Sequence, residues 1–111
     1  MKRGEIYFAA LDPTRGSEIQ KTRPVIIVSN DAANRASSLV TVLPLTSNMT
    51  HVHPFEVKLG ARETGLTKDS KAMAQQVRTI DKTRLGSVRR GVAPIGKMRQ
   101  IDDALRLHLT L

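Results

Sequence analysis

The sequence predicts a mainly β protein: a small β-barrel closed by one amphipathic helix at the C-terminus. Short apolar, β-branched runs recur about every ten residues with turn residues between them, and the last segment changes to a helical period. A chain of 111 residues with 40% hydrophobic content suits one compact core, so residues 1–111 are expected to form a single domain.

Glu5-Ile6-Tyr7-Phe8-Ala9-Ala10-Leu11 is apolar and aromatic and reads as the first strand, stopped at Asp12-Pro13 because proline cannot donate to a ladder. Thr14 to Thr22 mixes Gly, Ser and both charge signs, a loop carried on a scaffold. Val25 to Val28 is a continuous β-branched run, the pattern of a strand buried on both faces, and Ser29-Asn30-Asp31 ends it. Ala32 to Ser38 allows one helical turn. Leu39-Val40-Thr41-Val42-Leu43 is the third strand, expected to stop at Pro44, and Leu45 to Thr50 reads as a hydroxyl-rich loop.

From Phe55 the sequence alternates, with Phe55, Val57 and Leu59 on one face and Glu56 and Lys58 on the other, a half-exposed fourth strand. Gly60 to Lys68 is a turn-rich connection, and Lys71 to Ile80 reads as a bent strand pair or one long bulged strand. From Pro94, Ile95, Met98, Ile101, Leu105 and Leu109 recur at helical spacing, with Lys97, Arg99, Asp102, Asp103 and Arg106 on the other faces. Pro94 suits the first helical position.

Eighteen Lys and Arg against ten Asp and Glu give a net charge of +8, with a pI near 10.6. Such a chain is drawn to polyanions or to an acidic protein, nucleic acid first; a merely solubilising surface is the bland alternative. With no Cys, disulfides, thiol nucleophiles and Cys-based zinc sites are excluded. No run approaches the ~18 apolar residues of a membrane span, so a cytoplasmic protein with no membrane association is expected. His51 and His53 stand two apart without a carboxylate or Cys to complete a tetrahedral site, so no metal or other cofactor is expected; His108 falls near the helix's last turn, where a cation is favourable.

Lys2-Arg3-Gly4-Glu5-Ile6-Tyr7, Leu11-Asp12-Pro13-Thr14, Gly16-Ser17-Glu18 and Lys21-Thr22-Arg23-Pro24-Val25-Ile26-Ile27-Val28-Ser29-Asn30 together resemble the MazF/PemK family of toxin–antitoxin ribonucleases. Pro44-Leu45-Thr46-Ser47, Pro54-Phe55-Glu56-Val57, Gln76-Val77-Arg78-Thr79-Ile80-Asp81-Lys82 and Arg84-Leu85 continue the match in order over nearly the whole chain. The resemblance implies an SH3-like barrel, a homodimer, metal-independent cleavage of single-stranded RNA, and inhibition by a cognate acidic antitoxin. The family often carries Asp where this chain has Gln75, which puts substrate preference in question.

Metal-free RNA cleavage requires a 2′-hydroxyl to attack the adjacent phosphorus, with a proton acceptor, charge stabilisation on the phosphorane and help for the leaving 5′-oxygen. Arg23 suits the phosphorane, because its planar fork donates to two oxygens at once. Thr46 matches the family's catalytic Thr, and Glu18 is the candidate proton acceptor. Lys21 and Arg78 are expected to track the RNA backbone, Ser47 to hydrogen-bond a phosphate, and Gln76 to read a base edge. Two other readings are a CcdB-type gyrase poison, which would need a contact surface on the C-terminal helix, and an RNA-binding module without catalysis.

Overall fold

The computed structural model describes residues 1–12, 14–19 and 21–111. Pro13, expected to end the first strand, and Gln20, in the loop beyond it, lie outside the described residues. The chain runs β1 (Glu5–Ala10), β2 (Thr22–Ile27), α1 (Asp31–Ala36), β3 (Leu39–Thr46), β4 (Glu56–Leu59), α2 (Ala61–Thr64), β5 (Ser70–Met73), β6 (Arg78–Asp81), β7 (Gly91–Val92) and α3 (Ile95–Leu109).

These strands form one antiparallel seven-stranded sheet, ordered β4-β5-β3-β2-β1-β7, with β6 also paired to β3. It is curled into a half-barrel with β4 and β7 at its edges, and the expected mainly β fold with a C-terminal helix is the fold found. β3 organises it. One edge pairs with β2 (Val25↔Pro44 to Ile27↔Val42), while the other is shared by β6 along Leu39–Val42 and by β5 at Leu45 and Thr46.

β3 continues through Pro44, contrary to the expected stop. The missing N–H is tolerated because Pro44 falls where β3 changes partners, between the last β6 pair at Val42 and the first β5 pair at Leu45. The Lys71–Ile80 segment bends at that gap: β5 gives way to a 3-10 turn at Ala74–Gln76 before β6 resumes. β2 also begins earlier than expected, at Thr22, so Arg23 and Pro24 pair with Ala9 and Phe8 of β1. Val28 falls just past the strand, its N–H donating to the Thr41 carbonyl at 2.9 Å.

Alternation sends side chains to two cores. Tyr7, Ala9, Val25, Ile27, Val40, Val42 and Ile80 fill one; Ile6, Ile26, Leu43, Leu45, Val57 and Leu59 meet Met98, Ile101 and Ala104 of α3 in the other. Burying a side chain such as Ile101 contributes roughly 1.5–3 kcal/mol. The helical stripe is narrower than the sequence implies. Ile95 and Leu109 remain 74% and 49% exposed, and Met98, Ile101 and Ala104 are the buried residues of the helix. Pro94 is the residue before the first turn rather than within it, with extended backbone. Arg3 anchors α3 from the N-terminus, pairing with Asp102 and donating through Nε to the Val28 carbonyl at 2.9 Å.

α1 is longer than one turn because Asn30 caps it, its side-chain oxygen accepting the Ala33 N–H at 2.8 Å. No helix among the described residues is long and apolar enough to cross a membrane.

Candidate functional site

Two side chains from neighbouring strand ends define the centre of the site. β2 and β3 pair Val25 with Pro44; continuing that register outward sets Pro24 level with Leu45 and Arg23 level with Thr46. Cross-strand partners share a face of the sheet, so Arg23 and Thr46 project to the same side. Arg23 is half-buried and built into the ladder opposite Ala9, which fixes its backbone. Thr46, also half-buried, pairs through its backbone with Lys71 and accepts the Asn48 N–H on its hydroxyl at 3.2 Å, the local turn that ends β3. Ser47 is exposed just beyond it.

Two concavities hold most of the expected site residues. The first, about 360 Å3, includes Arg23 and Ser47 in its lining, over an apolar floor of Phe8, Pro24 and Leu45. The second, about 410 Å3, is lined by Ser17, Glu18, Ile19, Gln75, Gln76 and Arg78. The expected site residues thus divide: Arg23 and Ser47 in one hollow, Glu18, Gln76 and Arg78 in the other. Thr46 and Lys21 line neither. Lys21 takes up a left-handed backbone (φ 68°) beside β2, its N–H donating to Asp12 Oδ1 at 3.0 Å and its carbonyl accepting the Leu11 N–H.

The second hollow is held together by side-chain amides and guanidinium. Gln76 Oε1 accepts the Ile19 N–H at 2.8 Å, which clips the loop bearing Glu18 to the 3-10 turn; Arg78 Nη1 donates to the Leu11 carbonyl at 3.1 Å. Glu18 is exposed, and its Oε1 accepts the Arg15 N–H at 2.9 Å within its own loop.

Behind this surface lies a polar network that alternation alone did not reveal. Glu56, expected on the solvent face with Lys58, is buried, whereas Lys58 is exposed. Its burial is compensated: Glu56 accepts Lys71 Nζ at 2.9 Å, Gln75 Nε2 at 2.7 Å and the His53 N–H at 2.9 Å, and Lys71 Nζ also reaches the His51 carbonyl. Burial pushes the Glu56 carboxyl up, but the hydrogen bonds from His53, Gln75 and Lys71 outweigh it and hold it below the usual carboxylate range. The sequence signal was Lys71 itself, a cation in a short strand, Ser70–Met73, that is buried throughout. Gln75, where the family often carries Asp, therefore lines the second hollow while its Nε2 is committed to Glu56 and its buried Oε1 has no hydrogen-bond partner among the described residues.

The histidines are placed for packing. The His53 ring stacks on Phe55 at 5.0 Å, and His108 tilts against the same ring at 6.4 Å, joining the start of β4 to the end of α3. Among the described residues no group of three or more His, Asp or Glu is gathered to hold a metal ion.

A curled basic β-protein with an Arg and a Thr level at adjacent strand ends, beside an amide-lined hollow, belongs to the class of small proteins equipped to engage a phosphodiester. Residues 2–109 match the family described as the PemK-like, MazF-like toxins of type II toxin–antitoxin systems, and the chain belongs to that family. It is 46% identical to "Endoribonuclease MazF9" of Mycobacterium tuberculosis, covering 100% of this chain and 98% of that protein. It is 37% identical to "Endoribonuclease EndoA" of Bacillus subtilis, covering 100% and 96%. Among solved structures, a mycobacterial endoribonuclease in complex with its cognate antitoxin superimposes with a TM-score of 0.82 at 29% identity, covering 100% of this chain and 96% of that one. MazF from Deinococcus radiodurans shares the fold, with a TM-score of 0.86 at 24% identity over 100% and 97% of the two chains.

Proposed function

We propose that this chain is a toxin of the endoribonuclease type that cuts single-stranded RNA without a metal, by attack of the substrate's own 2′-hydroxyl. The observation that carries the reading is the β2–β3 register, which, continued two residues past Val25↔Pro44, sets Arg23 level with Thr46, with Arg23 and Ser47 lining one hollow. Arg23 donates to the phosphorane oxygens as charge builds on them, and a preorganised donor of this kind is worth roughly 2.7–4 kcal/mol of barrier. Thr46 orients the attacking hydroxyl through its own. Glu18, on a loop clipped in place by Gln76, accepts the proton. Lys21, Ser47 and Arg78 follow the backbone, and Gln76 presents its amide to a base edge.

The chain acts as one domain, pairs with a second copy, works in the cytoplasm and is neutralised by an acidic antitoxin that competes for the same cations. A net charge of +8 and the antitoxin complex of the mycobacterial relative support that last point.

The chemistry is tested with an oligonucleotide carrying a single 2′-deoxy nucleotide immediately 5′ to the scissile phosphate. Cleavage should stop while binding falls little, and products of the all-ribose control should carry a 2′,3′-cyclic or 3′-phosphate and a free 5′-hydroxyl. Efficient cutting of the substituted strand, or a 5′-phosphate on the downstream fragment, would remove Arg23 and Thr46 from these roles.

A further inference from the structure

The first hollow extends well beyond Arg23 and Ser47. Its far wall is made by the loop after α2 and by the residue preceding β7, and it brings Lys68 and Arg90 round to the same cavity as Arg23. All charged residues in the lining are cations. Among the described residues Lys68 has no hydrogen bond or ion pair to a side chain, and Arg90 lies over the Phe8 ring, 4.8 Å from its centroid, rather than against a carboxylate. Ser70 adds an independent observation: it is only 2% exposed, it lines the hollow, and its hydroxyl has no hydrogen-bond partner among the described residues.

This wall is fixed by backbone contact. Gly65 ends α2 in a left-handed conformation (φ 70°), and a Cβ there would stand 1.9 Å from the Arg90 carbonyl oxygen; a Cβ on Gly91 would stand 2.3 Å from that of Thr64. Two glycines allow α2 and the β7 approach to touch, and that contact carries Arg90 to the cavity. Lys68 and Arg90 share a cavity in whose lining, among the described residues, no carboxylate stands, so an anion bound there would meet only cations.

We infer that this hollow is a nucleotide subsite in which Lys68 and Arg90 hold an RNA phosphate next to the one engaged by Arg23, the Ser70 hydroxyl serves that nucleotide, and its base or sugar rests on Phe8, Pro24, Leu45 and Leu66. The inference rests on the ribonuclease reading and deepens it. At about 360 Å3 the cavity sits at the lower end of the roughly 300–1,000 Å3 typical of ligand sites, enough for a single nucleotide and too little for a folded partner.

The test uses the full chain and an uncleavable single-stranded DNA oligonucleotide, with affinity measured by fluorescence anisotropy across a salt series. For single strands the slope of log affinity against log salt falls by about 0.7 for each phosphate that the protein ceases to neutralise. Lys68→Ala/Arg90→Ala should flatten the slope by that amount and weaken binding about tenfold at low salt, and Ser70→Ala should weaken it severalfold without changing the slope. Arg35→Ala/Arg99→Ala removes the same net charge from exposed positions outside both hollows and should leave the slope near that of the unmodified chain. Equal slopes for the two double variants would overturn the subsite. So would a Lys68/Arg90 variant that binds the oligonucleotide normally but loses affinity for poly-glutamate, since the hollow would then serve an acidic protein. Cleavage of an RNA oligonucleotide by the unmodified chain is scored separately: no cleavage with a persisting slope difference would defeat the ribonuclease reading and leave the subsite standing.

Discussion

The two hollows are built on opposite principles. The first has a rigid wall of backbone against backbone, secured by Gly65 and Gly91, and displays cations with no carboxylate among them in the lining. The second is held by side chains: Gln76 clips the loop, Gln75 is tied to the buried Glu56–Lys71 pair, and Arg78 spends a donor on the Leu11 carbonyl. A surface that offers positive charge suits phosphates, which look alike in every nucleotide; one that offers oriented amides suits base edges, which do not. If both hollows meet RNA, the difference predicts that affinity and sequence preference reside in separate parts of the surface, the first with Arg23 and the second with Gln76.

The sharpest way to break the second hollow is to remove its hidden support. Lys71 and Glu56 retain only 10% and 2% side-chain exposure. Lys71→Met should therefore strand a buried carboxylate and cost ~3–5 kcal/mol in denaturant unfolding, much of it restored by adding Glu56→Gln, because removing both charges leaves neither uncompensated. The same pair predicts an acid limb. A carboxyl held below its unfolded value, about 4.3, contributes stability that is complete above that value and is lost as pH falls through the lower folded one. The unmodified chain should lose stability on that limb and the Lys71→Met/Glu56→Gln chain should lose less, as read from urea midpoints across the acid range.

At Arg23 the expected effect falls on rate. Arg23→Ala should lower single-turnover RNA cleavage by about 100- to 1,000-fold, in line with loss of ~2.7–4 kcal/mol of transition-state stabilisation, while circular dichroism and the melting temperature stay close to those of the unmodified chain. Cleavage within threefold of normal would mean that the strand-end guanidinium only binds.

How much of this was legible in the sequence follows the same division. The longer strands and the final helix were readable because β-branched runs and helical spacing report burial directly, as at Val25–Ile27 and at Met98 and Ile101; the two-residue β7 and the one-turn α2 are too short to show a period, and neither was expected. Arg23 was readable because a guanidinium beside Pro24, at the head of an apolar run, stands out chemically from everything that follows it on the strand. Pro44 misled, since a proline is harmless where a strand changes neighbours, and that gap is a property of β5 and β6 far along the chain. Glu56 misled for a related reason: alternation assigns a face, and whether a charge may stand on a buried one depends on Lys71 and Gln75 arriving from another strand. Lys68, Ser70 and Arg90 carried no local signal at all. They converge only through the Gly65–Gly91 contact, and glycine in a polar loop looks the same whether or not a neighbour needs the space.

The smallest expected effect separates the two jobs given to Gln76. Its Oε1 holds the Ile19 N–H at 2.8 Å, while its Nε2 among the described residues meets the Met73 thioether at 3.9 Å, a weak acceptor that leaves the donor available to a base. Gln76→Ala removes both functions. It should release the Ser17–Ile19 loop, seen as faster hydrogen exchange at the Ile19 amide, and raise KM for RNA about fivefold, equivalent to ~1 kcal/mol. Gln76→Glu keeps an oxygen for Ile19 and loses only the donor. Exchange at Ile19 should then stay slow while the order of preference among cleaved sequences changes, because a carboxylate beside the groove disfavours base edges that present acceptors. If both variants free the loop equally, or if Gln76→Glu cuts the same sequences in the same order, the amide is a tether alone and the second hollow does not read sequence through it.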